Sequence, residues 1–288
     1  MDLNNIAKEI REIVAKKQME LNLNFIEEDH IYYMKDLHGV VRNDFPSVSK
    51  VLKKFYTEFP TEDAALNKAN GDPYEQERLI AEWAAKGEYA TNMGSRVHYL
   101  LEKKIIETYG SYKEVRQPIF NCDLSQITKG DSMVNAGTKY IKLMKERGAV
   151  LLDTEMVLGD PELGYTGQPD KFWLIMNKEQ TDFGIVISDW KTNLPKNFVE
   201  KKYTERMYKP FEKYPNTALG HYYVQLPLYG KLFLKMLKGT KYENLKIYGC
   251  IVVLLKETSE YEEFRVPKEI ITTVLDMKMS DYLLDLKK

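Results

Sequence analysis

Apolar residues recur at helical spacing in the first part of the chain. Between residues 2 and 21 they follow one helix face and predict an amphipathic helix, carried by Ile6, Ile10, Ile13, Val14 and Leu21. From Phe25 to Val41 the pattern changes to short β-like runs separated by turn residues, which predicts a small hairpin. After Pro46, either Ser47 or Ser49 is a candidate N-cap for a short helix.

The next hundred residues have mainly helical patterns. Residues 60–92 predict helix with a break at Gly71-Asp72-Pro73, and a second helix is expected from Gly94 to Gly110. Residues 111–130 are polar and irregular, and the helical pattern that follows ends at Gly148.

Strand patterns dominate the second half of the chain. Three β segments are predicted at 149–158, 168–176 and 184–192; a helix, two closing strands and a terminal helix beginning near Pro267 follow. This order indicates an α/β or α+β protein with a central mixed β-sheet flanked by helices. We expect residues 1–45 to form an N-terminal helix and hairpin extension and residues 46–288 to form the main domain.

Composition narrows the class of protein. The 288 residues carry 42 Lys and Arg against 43 Asp and Glu, a formal charge of −1, so any surface for a polyanion has to be local. The two cysteines, Cys122 and Cys250, lack the spacing of a zinc or iron–sulfur site. The sequence shows no signal peptide and no apolar run of membrane-spanning length, which favours a cytoplasmic protein without a membrane partner.

Two aspartates and a lysine lie close together in the predicted strands. Asp189 and Lys191 are two apart on one strand, so their side chains share a face. If the preceding hairpin is symmetric about its tip at residues 177–182, Asp170 faces Asp189 with Cβ atoms about 4.5 to 5.5 Å apart.

Two carboxylates this close repel each other, and a divalent cation between them removes that cost. Oxygen ligands suit Mg²⁺ or Mn²⁺, and such a metal beside a lysine is suited to phosphodiester hydrolysis. Lys191 could orient or deprotonate the attacking water, or neutralise charge on phosphorus. The alternative is an acidic hairpin end with a surface Asp189–Lys191 pair.

The pattern resembles the PD-(D/E)XK nuclease superfamily. Pro169-Asp170 and Asp189-Trp190-Lys191 match its core motif. The RecB-like branch, with the mitochondrial genome maintenance exonuclease and phage-encoded exonucleases, is similar in further motifs: Pro46-Ser47-Val48-Ser49, Gly94-Ser95-x-x-His98-x-x-x-Glu102, Gly167-x-x-Asp170 and Gln225-x-x-x-Tyr229. The resemblance implies a restriction-endonuclease-like core, with the backbone carbonyl of Trp190 joining Asp170 and Asp189 as metal ligands.

The outlying motifs have physical interpretations of their own. His98 and Glu102 share a helix face by i, i+4 spacing; His98 could bind the metal or a bound water, with Glu102 as a support. Glu155, expected in mid-strand, could bind metal or accept a buried hydrogen bond.

Gln225 and Tyr229 also share a helix face, and the resemblance places them beside the active site, in contact with substrate or the catalytic carboxylates. The alternative is an ordinary amphipathic helix. Pro227, between them, is expected to start or kink the helix, which affects the placement of Gln225.

A basic stretch follows the second catalytic strand. Seven basic residues stand against three acidic ones between Lys191 and Lys213, and the aromatic residues Tyr203, Tyr208, Phe211 and Tyr214 are interspersed among them. Such a composition suits phosphate contact and base stacking. The predicted DNA-binding residues are Lys196, Lys201, Lys202, Arg206 and Lys209.

The sequence thus predicts a Mg²⁺- or Mn²⁺-dependent DNA exonuclease without an iron–sulfur cluster. We expect DNA with free ends, either single- or double-stranded, as substrate in replication, repair or recombination, with a separate helicase, recombinase or single-strand-binding partner. A phage or bacterial origin is expected. The alternatives are a non-catalytic DNA-binding scaffold with a nuclease fold, or a structure-specific endonuclease of the same superfamily.

Overall fold

The N-terminal part of the chain forms a helix and a small sheet. In the computed structural model, which describes residues 2–27, 29–110, 115, 118–192, 198–199 and 205–283, α1 spans Leu3–Glu20, and its N-cap Asp2 accepts from the backbone of Asn4. The strands β1 (Asn24–Ile26), β2 (Ile31–Lys35) and β3 (Val41–Arg42) form an antiparallel sheet, one strand more than the predicted hairpin.

Four helices follow before the main sheet begins. They are α2 (Val48–Leu52), capped by Ser47, then α3 (Thr61–Lys68), α4 (Pro73–Tyr109) and α5 (Leu124–Glu146), with a 3₁₀ turn at Lys53–Phe55. Two expectations were wrong here. The break expected at Gly71-Asp72-Pro73 is present, because Asp72 caps α4 and Pro73 occupies its first turn, but no separate helix begins at Gly94, since α4 runs unbroken through it. A capping box between Asp123 and Gln126 starts α5 inside the stretch expected to be irregular.

A mixed five-stranded sheet is the centre of the fold, as predicted. Its order is β10-β9-β8-β7-β4, and its strands are β4 (Val150–Thr154), β7 (Lys171–Met176), β8 (Phe183–Lys191), β9 (Lys246–Leu255) and β10 (Tyr261–Arg265). Only β8 and β9 pair in parallel; the other neighbours are antiparallel. A separate ribbon of β5 (Leu158–Asp160) and β6 (Tyr165–Gly167) lies between β4 and β7 in sequence.

The remaining helices follow β8. α6 (Ala218–Met236) precedes β9, while α7 (Lys268–Asp276) and α8 (Ser280–Leu283) close the described chain. Pro227 lies inside α6, which continues through it, so the expectation that it starts the helix was wrong. No helix in the described residues is both long enough and apolar enough to cross a membrane.

Helices cover both faces of the sheet. Alternation along β7 sends Phe172 and Leu174 into a core shared with α1 and α6, while Trp173 packs on the opposite face against α4 and α5. Ile10 of α1 is fully buried in the first of these cores, so the N-terminal helix packs directly on the main sheet. The domain boundary at residue 45 stays a prediction.

Two glycines offer a matched test of how tightly α4 and α5 pack. A Cβ at Gly137 of α5 would lie 2.6 Å from both δ-methyls of the fully buried Leu101, whereas one at Gly87 of α4 would meet nothing within 4 Å. Alanine gains about 1 kcal/mol of helix propensity over glycine, but overpacking costs about 1 to 3 kcal/mol.

We therefore expect Gly87→Ala to raise the free energy of unfolding by about 0.5 to 1 kcal/mol and Gly137→Ala to lower it by about 1 kcal/mol. Urea denaturation of both variants measures the difference. Equal stabilisation by the two substitutions would contradict the close approach of α4 to α5.

Candidate active site

The β7–β8 hairpin brings the two aspartates together. Its antiparallel register pairs Lys171 with Ser188, so the next positions outward, Asp170 and Asp189, lie opposite each other. This is the register expected from a symmetric hairpin. Asp189 is almost fully buried, and the side chain of Asp170 is 12% exposed.

Asp170 is held by groups from three directions. Its Oδ2 accepts a hydrogen bond from the backbone N–H of Trp190 at 2.7 Å, and its Oδ1 lies 3.4 Å from Nδ1 of His98. The ammonium of Lys171 is 3.4 Å from Oδ2. Burial alone would raise the pKa of Asp170, but the interactions with His98 and Lys171 hold that pKa well below its ordinary value. Asp170 is therefore a carboxylate at neutral pH.

Asp189 and Lys191 form a buried ion pair with Nζ 2.5 Å from Oδ2. Burial and the nearby Asp170 charge raise the pKa of Asp189, although Lys191 opposes this shift. Burial would lower the pKa of Lys191, yet Asp189, with Tyr222 and Asp170, more than offsets it and holds the pKa above its ordinary value. Lys191 is therefore a cation at neutral pH.

Glu155 lies just past the end of β4, not in mid-strand as expected. Its backbone has a φ of +46°, in the left-handed region that few residues other than glycine adopt. Two hydrogen bonds hold this conformation: the Glu155 N–H donates to the Asp170 carbonyl at 3.0 Å, and the Glu155 carbonyl accepts from the Gln168 amide at 3.1 Å. The segment before β7 thus orients Glu155 beside Asp170.

Three side chains converge on a candidate metal position. One ligand atom each from His98, Glu155 and Asp170 lies within 4.8 Å of the others, and all three side chains remain partly exposed. An imidazole nitrogen with two carboxylate oxygens fits a divalent cation such as Mg²⁺ or Mn²⁺. Asp189 is outside this group and pairs with Lys191 instead.

Glu102 supports the site through β4. Its Oε1 accepts a hydrogen bond at 2.9 Å from the hydroxyl of Thr154, the residue before Glu155. This bond ties the His98-bearing helix α4 to the strand end that presents Glu155.

Gln225 and Tyr229 also pair within α6: the Gln225 amide donates to the Tyr229 hydroxyl at 3.0 Å. Burial raises the pKa of Tyr229, and Asp189 adds to that rise, so its phenol stays neutral beside the carboxylates. A Cβ at Gly167 would lie 2.6 Å from the Tyr229 ring, which explains the glycine in Gly167-x-x-Asp170.

Two contributors were missed in the sequence. The Lys171 ammonium is almost completely buried and lies 3.6 Å from the centroid of the Trp190 ring, while Lys191 lies 4.1 Å from the centroid of the Tyr222 ring. Cation–π attraction thus holds each lysine. A lysine directly followed by Phe-Trp in an apolar strand was an available signal for Lys171, but nothing in the sequence pointed to Tyr222.

The predicted DNA-binding surface is only partly described. Lys196, Lys201 and Lys202 lie outside the described residues, whereas Arg206 and Lys209 are exposed. The expectation that Phe211 stacks on bases was wrong.

The aromatic residues near Arg206 have different environments. Phe211 is buried against Phe55, with ring centroids 5.1 Å apart, and the Tyr214 hydroxyl donates to Glu269 at 2.6 Å. Tyr208 remains 49% exposed and can meet a ligand. Tyr203 lies outside the described residues.

Comparison with known proteins gives no family assignment. No family model matches the chain, and no curated protein matches it. One solved structure, a candidate exonuclease from Eubacterium rectale, is similar with a TM-score of 0.41 and 14% sequence identity, covering 85% of this chain and 81% of that one.

Metal binding can be tested without any activity assay. We expect Mn²⁺ to raise the melting temperature of the wild type, because a ligand bound only by the folded state stabilises it by about 2.7 kcal/mol at about one hundred times its dissociation constant. Glu155→Gln should abolish most of this rise. The matched control is Glu179→Gln, at an exposed position in the turn of the β7–β8 hairpin, which should keep it. An equal rise in both variants would remove Glu155 from the metal site.

Proposed function

We propose that this protein is a metal-dependent nuclease of the PD-(D/E)XK type that hydrolyses phosphodiester bonds of DNA from free ends. The observation that carries the proposal is the convergence of His98, Glu155 and Asp170 directly beside the buried Asp189–Lys191 pair. A cluster of ligand side chains or a buried ion pair, taken alone, also occurs in ion-pair networks that only stabilise a fold. Here the two lie side by side, so the ligands for a cation stand next to an ammonium group.

In this proposal, each residue has a distinct role. The cation would be held by Asp170, Glu155 and His98. Asp189 and the backbone carbonyl of Trp190 would contribute further oxygen ligands. The cation, when bound, polarises the phosphate and lowers the pKa of water. The raised pKa keeps Lys191 a cation, which fits orienting the attacking water or neutralising charge that develops on the phosphate better than deprotonating water.

Catalysis is favoured over the scaffold alternative by electrostatics. A lysine held as a cation beside a buried carboxylate, with a second lysine beneath Asp170, stabilises an anionic transition state in a site sheltered from solvent.

We propose that the protein acts in DNA replication, repair or recombination, in the cytoplasm of a bacterium or during phage infection, with a separate helicase, recombinase or single-strand-binding partner.

The nuclease proposal is tested with end-labelled linear and closed circular DNA, single- and double-stranded, in Mg²⁺, Mn²⁺ or EDTA. We expect hydrolysis of linear DNA with either metal and none in EDTA. Lys191→Ala should lower the rate by about 10² to 10³-fold, the usual loss for one electrostatic stabiliser.

Lys178→Ala, in the turn at the distal end of the same hairpin, is the matched control and should retain full activity. Hydrolysis in EDTA, or by Lys191→Ala at the wild-type rate, would refute the mechanism. Cleavage of circles would instead favour the structure-specific endonuclease alternative.

The basic stretch after β8 is proposed to guide the strand to the site. Replacing Lys201, Lys202 and Arg206 with alanine should weaken DNA binding and make it less dependent on salt, since each lost phosphate contact lowers the slope of log affinity against log salt by about 0.7 to 0.9. Fluorescence anisotropy over a range of salt concentrations measures both effects. An unchanged slope would place the strand elsewhere.

A further inference from the structure

The N-terminal sheet is fixed beside the candidate active site. A Cβ at Gly159 of β5 would lie 2.7 Å from Sδ of Met34 and 3.0 Å from Cδ1 of Leu23, so the sheet packs tightly on the β5–β6 ribbon. β6 ends at Gly167, three residues before Asp170. The hairpin of β1 and β2 is therefore held close to the segment that carries the metal ligands.

Tyr32 lies on the same face of β2 as Met34, because strand residues two apart share a face. Because Sδ of Met34 lies against Gly159, Tyr32 is on the side of the sheet that faces the β5–β6 ribbon, and both burial and the Glu155 carboxylate raise the pKa of Tyr32.

Tyr32 belongs to an aromatic cluster that is not fully buried. Its ring centroid lies 4.4 Å from that of Phe25, its cross-strand partner, and the Phe25 ring meets His30 at 5.5 Å, edge to face. Phe25 and Tyr32 are partly exposed and His30 is exposed. Unlike a core cluster, this surface has aromatic area left for a ligand.

His30 is held in an uncommon conformation at the edge of this cluster. Its φ is +53°, and its N–H donates to the Glu27 carbonyl at 3.3 Å. Left-handed backbone at a residue other than glycine tends to persist where function maintains it. Here it keeps the imidazole against Phe25.

The charges around the cluster select the kind of ligand. Exposed Glu27 and Asp29 flank His30, so a phosphate backbone continuing past the aromatic rings would be repelled. Aromatic faces stack on every base without sequence preference. The terminal base of a strand satisfies both conditions, because it can stack on the rings and no phosphate group continues beyond it toward the acidic residues.

We propose that Phe25, His30 and Tyr32, the end platform, stack on the unpaired terminal base of a DNA strand and so direct the enzyme to strand ends. This inference rests on the proposed nuclease function and adds the feature of the substrate that is recognised. The last phosphodiester bond is then presented to Glu155 and Asp170, next to the platform.

Stacking is measured directly with single-stranded DNA that carries the fluorescent base 2-aminopurine at one terminal nucleotide or at an internal one. In the Lys191→Ala background with Mn²⁺, binding should quench the probe at one terminus several-fold and leave the internal probe unchanged. Tyr32→Leu and Phe25→Leu should abolish the quenching, while Tyr32→Phe should retain it.

The matched control is Tyr33→Leu, on the opposite face of β2, which should quench the terminal 2-aminopurine as strongly as the parent protein does. Melting temperatures verify that each variant is folded. Because Tyr32 and Phe25 are replaced separately, the platform can still be tested if one of the two variants does not fold. With Lys191 intact, Tyr32→Leu should cut linear single strands about tenfold more slowly, whereas Tyr33→Leu should cut them at the wild-type rate.

The outcomes separate the platform from the nuclease. Equal quenching at both probe positions, persistent quenching in Tyr32→Leu, or no DNA binding overturns the end platform. A further outcome is that the wild-type protein cuts no DNA with either metal while Tyr32→Leu loses the quenching. That result supports the end platform as a binding site and refutes only the nuclease proposal. Strand cleavage that is indifferent to Tyr32→Leu and Phe25→Leu refutes the platform alone.

Discussion

The repulsion between Asp170 and Asp189 is the constraint on which the rest of the site depends. Antiparallel pairing places the two carboxylates opposite each other, and two full charges about 5 Å apart repel by about 3 kcal/mol at an effective dielectric constant near 20. The fold surrounds them with cations: Lys171 lies beside Asp170, and Lys191 pairs with Asp189. The pKa values of the two aspartates move in opposite directions because their partners differ.

The lysines are positioned by the two layers of helices that enclose the sheet. Lys171 lies against Trp190, which belongs to the core beneath α4 and α5, whereas Lys191 lies against Tyr222 of α6 on the other side. Each ammonium is therefore fixed by an aromatic ring as well as by a carboxylate. Opposite cores of the molecule meet at the end of the β7–β8 hairpin, and this explains why the charged groups there are largely buried.

The sequence patterns predicted those features of the fold that depend on the local order of residues along the chain. The β7–β8 hairpin, the Asp170–Asp189 register and the shared helix of His98 and Glu102 all follow from short periodicities and have the expected backbone placement. Patterns failed where distant residues decide the conformation.

Glu155 is held in a left-handed backbone by hydrogen bonds to Asp170 and Gln168, which lie more than ten positions away in the sequence. Likewise, nothing near Tyr222 in the sequence indicates that it would cover Lys191, more than thirty positions earlier. Pro227 is tolerated inside a helix although its own ring argues against it, since α6 is buried along much of its length.

The parallel pairing of β8 with β9 has a consequence for the time at which the protein matures during its synthesis. His98, Glu155, Asp170, Asp189 and Lys191 all leave the ribosome before α6 and β9 do. The antiparallel strands β4, β7 and β8 can pair through nearby contacts, but β9 can reach the open edge of β8 only after α6 has been made. A nascent chain thus holds every charged group of the site while Lys191 still lacks Tyr222, so the complete site forms only after α6 has been synthesised.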